Sequence, residues 1–192
     1  MILFLKRGAF KIKAPVIPFI WLTALASSYE LIGTDLLRID TFYWFQIYAL
    51  LEYATIFYFF YQLFKTVYLK SLLLFSVLFV ITYLSALVFG SIESKFIALA
   101  VNKIPITLFV LTFSFRWYQD LFKRMEVEHL WKDPVFGFVS GISFYYASTL
   151  FLFLLSGFIF NHNLYEYWLV NIIATSIMRL FLIISVWHMN MK

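Results

Sequence analysis

Three charged residues sit inside long apolar stretches of this sequence: Glu52, Lys103 and Arg179. A charge within a hydrocarbon layer is costly, so each needs a partner or a task. One acid and two bases allow three kinds of chemistry. They form an ion pair, they bind an anionic group such as a carboxylate or phosphate, or the carboxylate carries a proton. Uncharged polar residues accompany each charge. Tyr48 and Thr55 flank Glu52, Asn102 precedes Lys103, and Asn171, Thr175 and Arg179 follow one another at spacings of four. Spacings of three and four put such residues on one face of a helix. The set therefore reads in two ways. It is a polar pocket, or it is a structural clasp in which Glu52 pairs with Arg179 while Lys103 snorkels outward toward Glu93 or the headgroups.

Membrane-spanning helices have to position these residues. Of 192 residues, 64% are hydrophobic and 13% charged, which is more apolar surface than a soluble domain of this length can hide. The stretch Phe42–Phe64, FYWFQIYALLEYATIFYFFYQLF, reaches ~34 Å as a helix, enough to cross a hydrocarbon core of ~30 Å. Five further spans are predicted at Ala14–Ile32, Ser71–Gly90, Phe96–Phe115, Val135–Phe160 and Tyr167–Trp187. Pro105, with Asn102 and Lys103, is expected to interrupt or kink the fourth. The predicted fold is an all-α polytopic transmembrane bundle of six spans. Residues 1–13 form a basic collar, and residues 14–192 form one transmembrane domain. Arg116–Asp133 is the only sizeable polar segment, and Trp117, Leu121 and Met125 recur in it at near-helical spacing. It reads as an amphipathic cytoplasmic extension of span four.

Lys and Arg set the orientation. With six spans, eleven of them fall on the side of both termini and two, Arg38 and Lys95, on the other. Such asymmetry over short loops places both termini in the cytoplasm. An arrangement with Ala14–Ile32 lying on the surface would break it. In the six-span order, spans two, four and six run in the same direction, so Glu52, Lys103 and Arg179 fall within roughly one helical turn of the same depth. That depth is the outer-to-middle layer of the membrane.

Other motifs narrow the classes. Gly137 and Gly141 lie four apart in span five and read as a GxxxG contact face, either in a homodimer or, as favoured here, within one bundle. There is no cysteine, hence no disulfide or thiolate chemistry. His129, His162 and His188 lie too far apart along the predicted topology to share a metal. No zinc-protease, serine-elbow, phosphate-loop or dinucleotide-binding fingerprint is present, so neither enzyme activity nor a cofactor is expected. The net charge of +5 flanks apolar spans, which suits anionic lipid headgroups rather than nucleic acid.

Three segments, ALASSYELIGT, IYALLEYATIFYFFYQLFK and KDPVFGFVSGISFYYASTLFLFLLS, resemble a group of small bacterial integral membrane proteins. The resemblance implies six or seven helices, an acid late in the first span and another in the next, here Glu52. It implies no activity. Two functional classes follow from the whole sequence, with a purely structural membrane subunit behind them. The first is a non-catalytic sensor or accessory module of the bacterial inner membrane. Its polar pocket would be coupled to a cytoplasmic or membrane partner through Arg116–Asp133. The second is a small transporter or permease component binding an anionic solute or coupling protons at the same residues.

Overall fold

The computed structural model describes residues 15–38, 42–65, 67–89, 95–124, 130–154 and 164–189. The basic collar at 1–13 and the stretch 125–129 of the polar segment lie outside them. Among the described residues the protein is all helical. The six helices are α1 (Ile17–Tyr29), α2 (Phe42–Phe64), α3 (Leu69–Phe89), α4 (Lys95–Arg124), α5 (Pro134–Leu154) and α6 (Leu164–Met189). Three stretches of them, Trp44–Phe64, Leu69–Val88 and Leu169–His188, are long and apolar enough to cross a membrane, and Ile17–Gly33 is a shorter apolar helix. The protein is therefore membrane-associated. The chain forms two compact units, one over Pro15–Ile106 and one over Thr107–Lys192.

In the first unit α2 is the central element. Its bounds match the predicted stretch, and it stops where Lys65 turns into the left-handed region at φ 49°. The Lys65 amide still donates to the Tyr61 carbonyl at 2.7 Å, closing the last turn. The buried face of α2 carries Ala49, Tyr53, Ile56, Phe60 and Phe64, spaced by three and four. Helix α3 offers Leu72, Phe79 and Ala86, one residue every second turn. The ring of Tyr53 stacks on Phe79 with centroids 4.1 Å apart, and its hydroxyl meets Ser76 Oγ at 2.8 Å. The other faces of α3 are apolar and exposed, as expected for a lipid-facing helix.

Helix α1 is shorter than predicted. It begins with a proline in its first turn, where a missing donor does no harm. After Tyr29 it widens into a π-helical segment, Glu30–Leu36. There the Leu37 amide reaches back five residues, to the Ile32 carbonyl at 3.0 Å. Tyr29 stacks on Trp44 of α2 at 4.3 Å, which joins α1 to the first turn of α2.

Helix α4 departs from expectation. Pro105 is expected to interrupt or kink it; the helix runs from Lys95 to Arg124 with Pro105 inside it, so the interruption is absent. Pro105 cannot supply the amide that would serve the Val101 carbonyl and its ring crowds that carbonyl, but the turns on either side keep the helix continuous.

The second unit holds the later part of α4 with α5 and α6. Asp133 Oδ1 accepts from the Val135 amide at 3.1 Å and caps α5, while Pro134 fills its first position. Phe138, Ile142 and Tyr146 of α5 are fully buried, as are Phe109 and Phe113 of α4. Ser185 Oγ on α6 donates to the Pro134 carbonyl at 2.6 Å, and Tyr118 on α4 meets Ser140 Oγ at 2.9 Å. The glycine face lies against α6. A Cβ on Gly137 would sit 3.4 Å from Ser185 Cβ, and one on Gly141 only 2.7 Å from Phe181 Cβ. The chain's own last helix thus covers these glycines, as the packing alternative expects.

Candidate functional site

The polar cluster of the first unit is built by α2 and α4. Glu52 is 2% exposed and Lys103 turns its ammonium onto Glu52 Oε2. One expectation is corrected here. The ion pair of Glu52 is made by Lys103, where the clasp assigned it to Arg179, so the Lys103 ammonium turns to Glu52; Glu93, the other residue expected near it, lies outside the described residues. The physical reason lies in burial. A carboxylate this deep draws the nearest long flexible cation, and the four-carbon stem of lysine spans the gap between neighbouring helices. The Lys103 ammonium also lies 5.3 Å from the Tyr48 ring centroid, within cation–π range. Tyr48, Glu52 and Lys103 are therefore brought together.

Beside them lies a second polar pair. Asn102 is fully buried and donates from Nδ2 to Gln46 Oε1 at 2.9 Å, with Gln46 4% exposed. The Tyr83 hydroxyl of α3 donates to the Gln46 carbonyl at 3.4 Å, near the limit of a hydrogen bond. Among the described residues two amide atoms of the pair have no partner, Gln46 Nε2 and Asn102 Oδ1. Leaving such groups buried and unsatisfied costs about 1–3 kcal/mol each, so their presence in a packed helix pair asks for an occupant.

Gln46 was not foreseen. It lies six residues before Glu52 and so falls off the helical stripe that marks Tyr48, Glu52 and Thr55. The available signal was the amide of Asn102 next to Lys103, which needs a polar partner on the facing helix. Thr55 belongs to the stripe but not to the network, because its hydroxyl donates to the Glu52 carbonyl at 3.0 Å within its own helix.

The remaining predicted residues lie in the second unit. Asn171 Oδ1 faces the Tyr145 hydroxyl at 3.5 Å. Thr175 is half-buried and Arg179 is exposed on α6, whereas the sequence placed both in a converging interior set. Their spacing does put them along one helix, but the buried stripe of α6 is Ala174, Met178, Leu182 and Ser185. Arg179, one residue beyond Met178, is turned away from it by about 100°. Among the described residues no three His, Asp or Glu side chains converge as a metal site would require.

Chemically, the cluster has a compensated ion pair at one end and a half-satisfied amide pair at the other. Among the described residues it holds one acid, Glu52, and one base, Lys103. Comparison with known protein families, with characterised proteins and with solved structures finds no match. The functional reading consequently rests on this geometry.

Proposed function

We propose that the chain is a six-span protein of the bacterial cytoplasmic membrane, with both termini in the cytoplasm, acting as a non-catalytic sensor or accessory module. The observation that carries this reading is the continuity of α4. Asn102 and Lys103 of the buried cluster and the charged end at Arg116, Asp120 and Lys123 belong to one unbroken helix. A change of occupancy at the cluster would act along this helix on a partner at Arg116–Asp133.

The absence of native cysteine makes the topology testable with single replacements. Arg38→Cys is expected to react with a membrane-impermeant maleimide in intact cells. Lys65→Cys and Lys123→Cys are expected to react only after permeabilisation. Labelling of Lys123→Cys from outside would sink the orientation. The coupling is tested with a photo-crosslinking residue at the exposed Gln119. A discrete adduct is expected in cells, and its yield should change several-fold in Lys103→Met. No adduct, or one indifferent to Lys103→Met, would end the sensor reading.

One observation favours a second reading. Gln46 Nε2 and Asn102 Oδ1, buried and without partners among the described residues, offer one donor and one acceptor to a solute, as in a small transporter component. That reading predicts solute flux in liposomes that Glu52→Gln abolishes. The unbroken α4 speaks against it, because the interrupted helix that motivated transport is absent.

A further inference from the structure

We propose that the side-by-side amides of Gln46 and Asn102 form a binding site for a hydroxyl group, supplied by a water molecule or by a small neutral alcohol. The inference deepens the ligand-site reading given above and rests on it.

Asn102 Nδ2 donates to Gln46 Oε1 at 2.9 Å, which leaves Gln46 Nε2 as a donor and Asn102 Oδ1 as an acceptor, both buried and without partners among the described residues. The two ends of a side-chain amide exchange places on a flip. Flipping both residues keeps their mutual bond and again leaves one donor and one acceptor. Flipping only one sets two oxygens or two amino groups against each other. The remainder is therefore one donor and one acceptor in either allowed arrangement.

A hydroxyl satisfies both at once. Its oxygen accepts from Gln46 Nε2 and its proton goes to Asn102 Oδ1. A carboxylate offers acceptors only and would face Asn102 Oδ1 with a second negative oxygen. An ammonium offers donors only and would leave Gln46 Nε2 unsatisfied. Charge points the same way. Lys103 already turns its ammonium onto the Glu52 carboxylate, so it is engaged by an acid and not held out for an incoming anion. The anionic ligand expected from one acid and two bases is thus replaced by a neutral one in the first unit.

The test uses the full chain in lipid nanodiscs, labelled with side-chain 15N-glutamine, in buffer free of alcohols. The chain has three glutamines, Gln46, Gln62 and Gln119, and the last two are exposed. They serve as internal controls. Gln62→Glu and Gln119→Glu assign the Gln46 signal by elimination without disturbing the core. If water is the occupant, the Gln46 amide receives magnetisation from a long-lived water and glycerol leaves it unmoved. If an alcohol is the occupant, glycerol shifts the Gln46 signal saturably while Gln62 and Gln119 stay in place. Either result supports the site. The proposal is overturned if Gln46 shows neither behaviour, or if acetate at equal concentration shifts it and glycerol does not. The double replacement Gln46→Leu with Asn102→Leu, which removes both amides together, should keep the wild-type unfolding temperature. The crosslink at Gln119 reads the sensor function separately, so failure of one experiment leaves the other standing.

Discussion

Lys103→Met is expected to lower stability by roughly 3–5 kcal/mol, the scale for stranding a buried charge. The substitution keeps the length of the side chain and removes the ammonium that sits on Glu52. The carboxylate, 2% exposed, then has its paired cation taken away in a low-dielectric interior. Glu52→Gln should cost less. The Lys103 side chain is 15% exposed and long enough to swing its charge toward water when the carboxylate is gone. The double replacement Glu52→Gln with Lys103→Met should recover most of the loss, since a buried pair exchanged whole is close to neutral. Thermal unfolding in nanodiscs measures all three. Equal melting temperatures for Lys103→Met and the wild type would mean that the pair does not hold α2 and α4 together.

Gly141→Leu is the second large effect, acting on the other unit. The first carbon of any side chain at this position meets Phe181 Cβ at 2.7 Å, closer than two carbons approach. Phe181 Cβ is tied to its backbone and cannot swing aside, so α5 and α6 must move apart. Overpacking of this kind costs roughly 1–3 kcal/mol, with a branched four-carbon chain at the upper end. Gly137→Ala is the control. Its new methyl finds Ser185 at 3.4 Å, an ordinary contact, and should leave the melting temperature within a degree or two of wild type, in line with near-neutral substitutions. If the two variants melt alike, the glycines are not the contact between α5 and α6.

Much of the helix layout was legible in the residues, and the reasons are local. Phe42–Phe64 has no breaker within it and a basic residue beyond it, so both ends were readable. Asp133-Pro134 announces a helix start by chemistry alone, an Asx cap and a ring that fits the first position. Counting along the helices put Glu52 and Lys103 at a similar level, and the structure pairs them. Counting failed to choose between two bases at that level. Depth follows from counting along each helix, but pairing depends on which helices touch and how each is rotated, and those are properties of packing across the bundle. Arg179 shows the difference. Its stripe of Asn171 and Thr175 looked like an inward face, yet α6 is buried along Ala174, Met178 and Leu182. On a helix that is apolar all round, polar residues alone do not mark the inside. Gln46 was missed for the related reason that its partner sits 56 positions away in sequence.

The π-helical segment after α1 carries a consequence for chain length. A turn closed by a bond from Leu37 to the carbonyl of Ile32 contains one more residue than an α-turn. Removing a single residue between Glu30 and Leu36 would let the helix continue in ordinary register. Everything upstream would then rotate by about 100° around the helix axis. Val16, Phe19 and Leu22, now buried, would leave their present neighbours as a group. In this part of the chain the number of residues matters more than their identity. Polar-for-apolar exchanges at the exposed positions Leu31 and Leu36 are compatible with the fold in a way that a one-residue deletion is not.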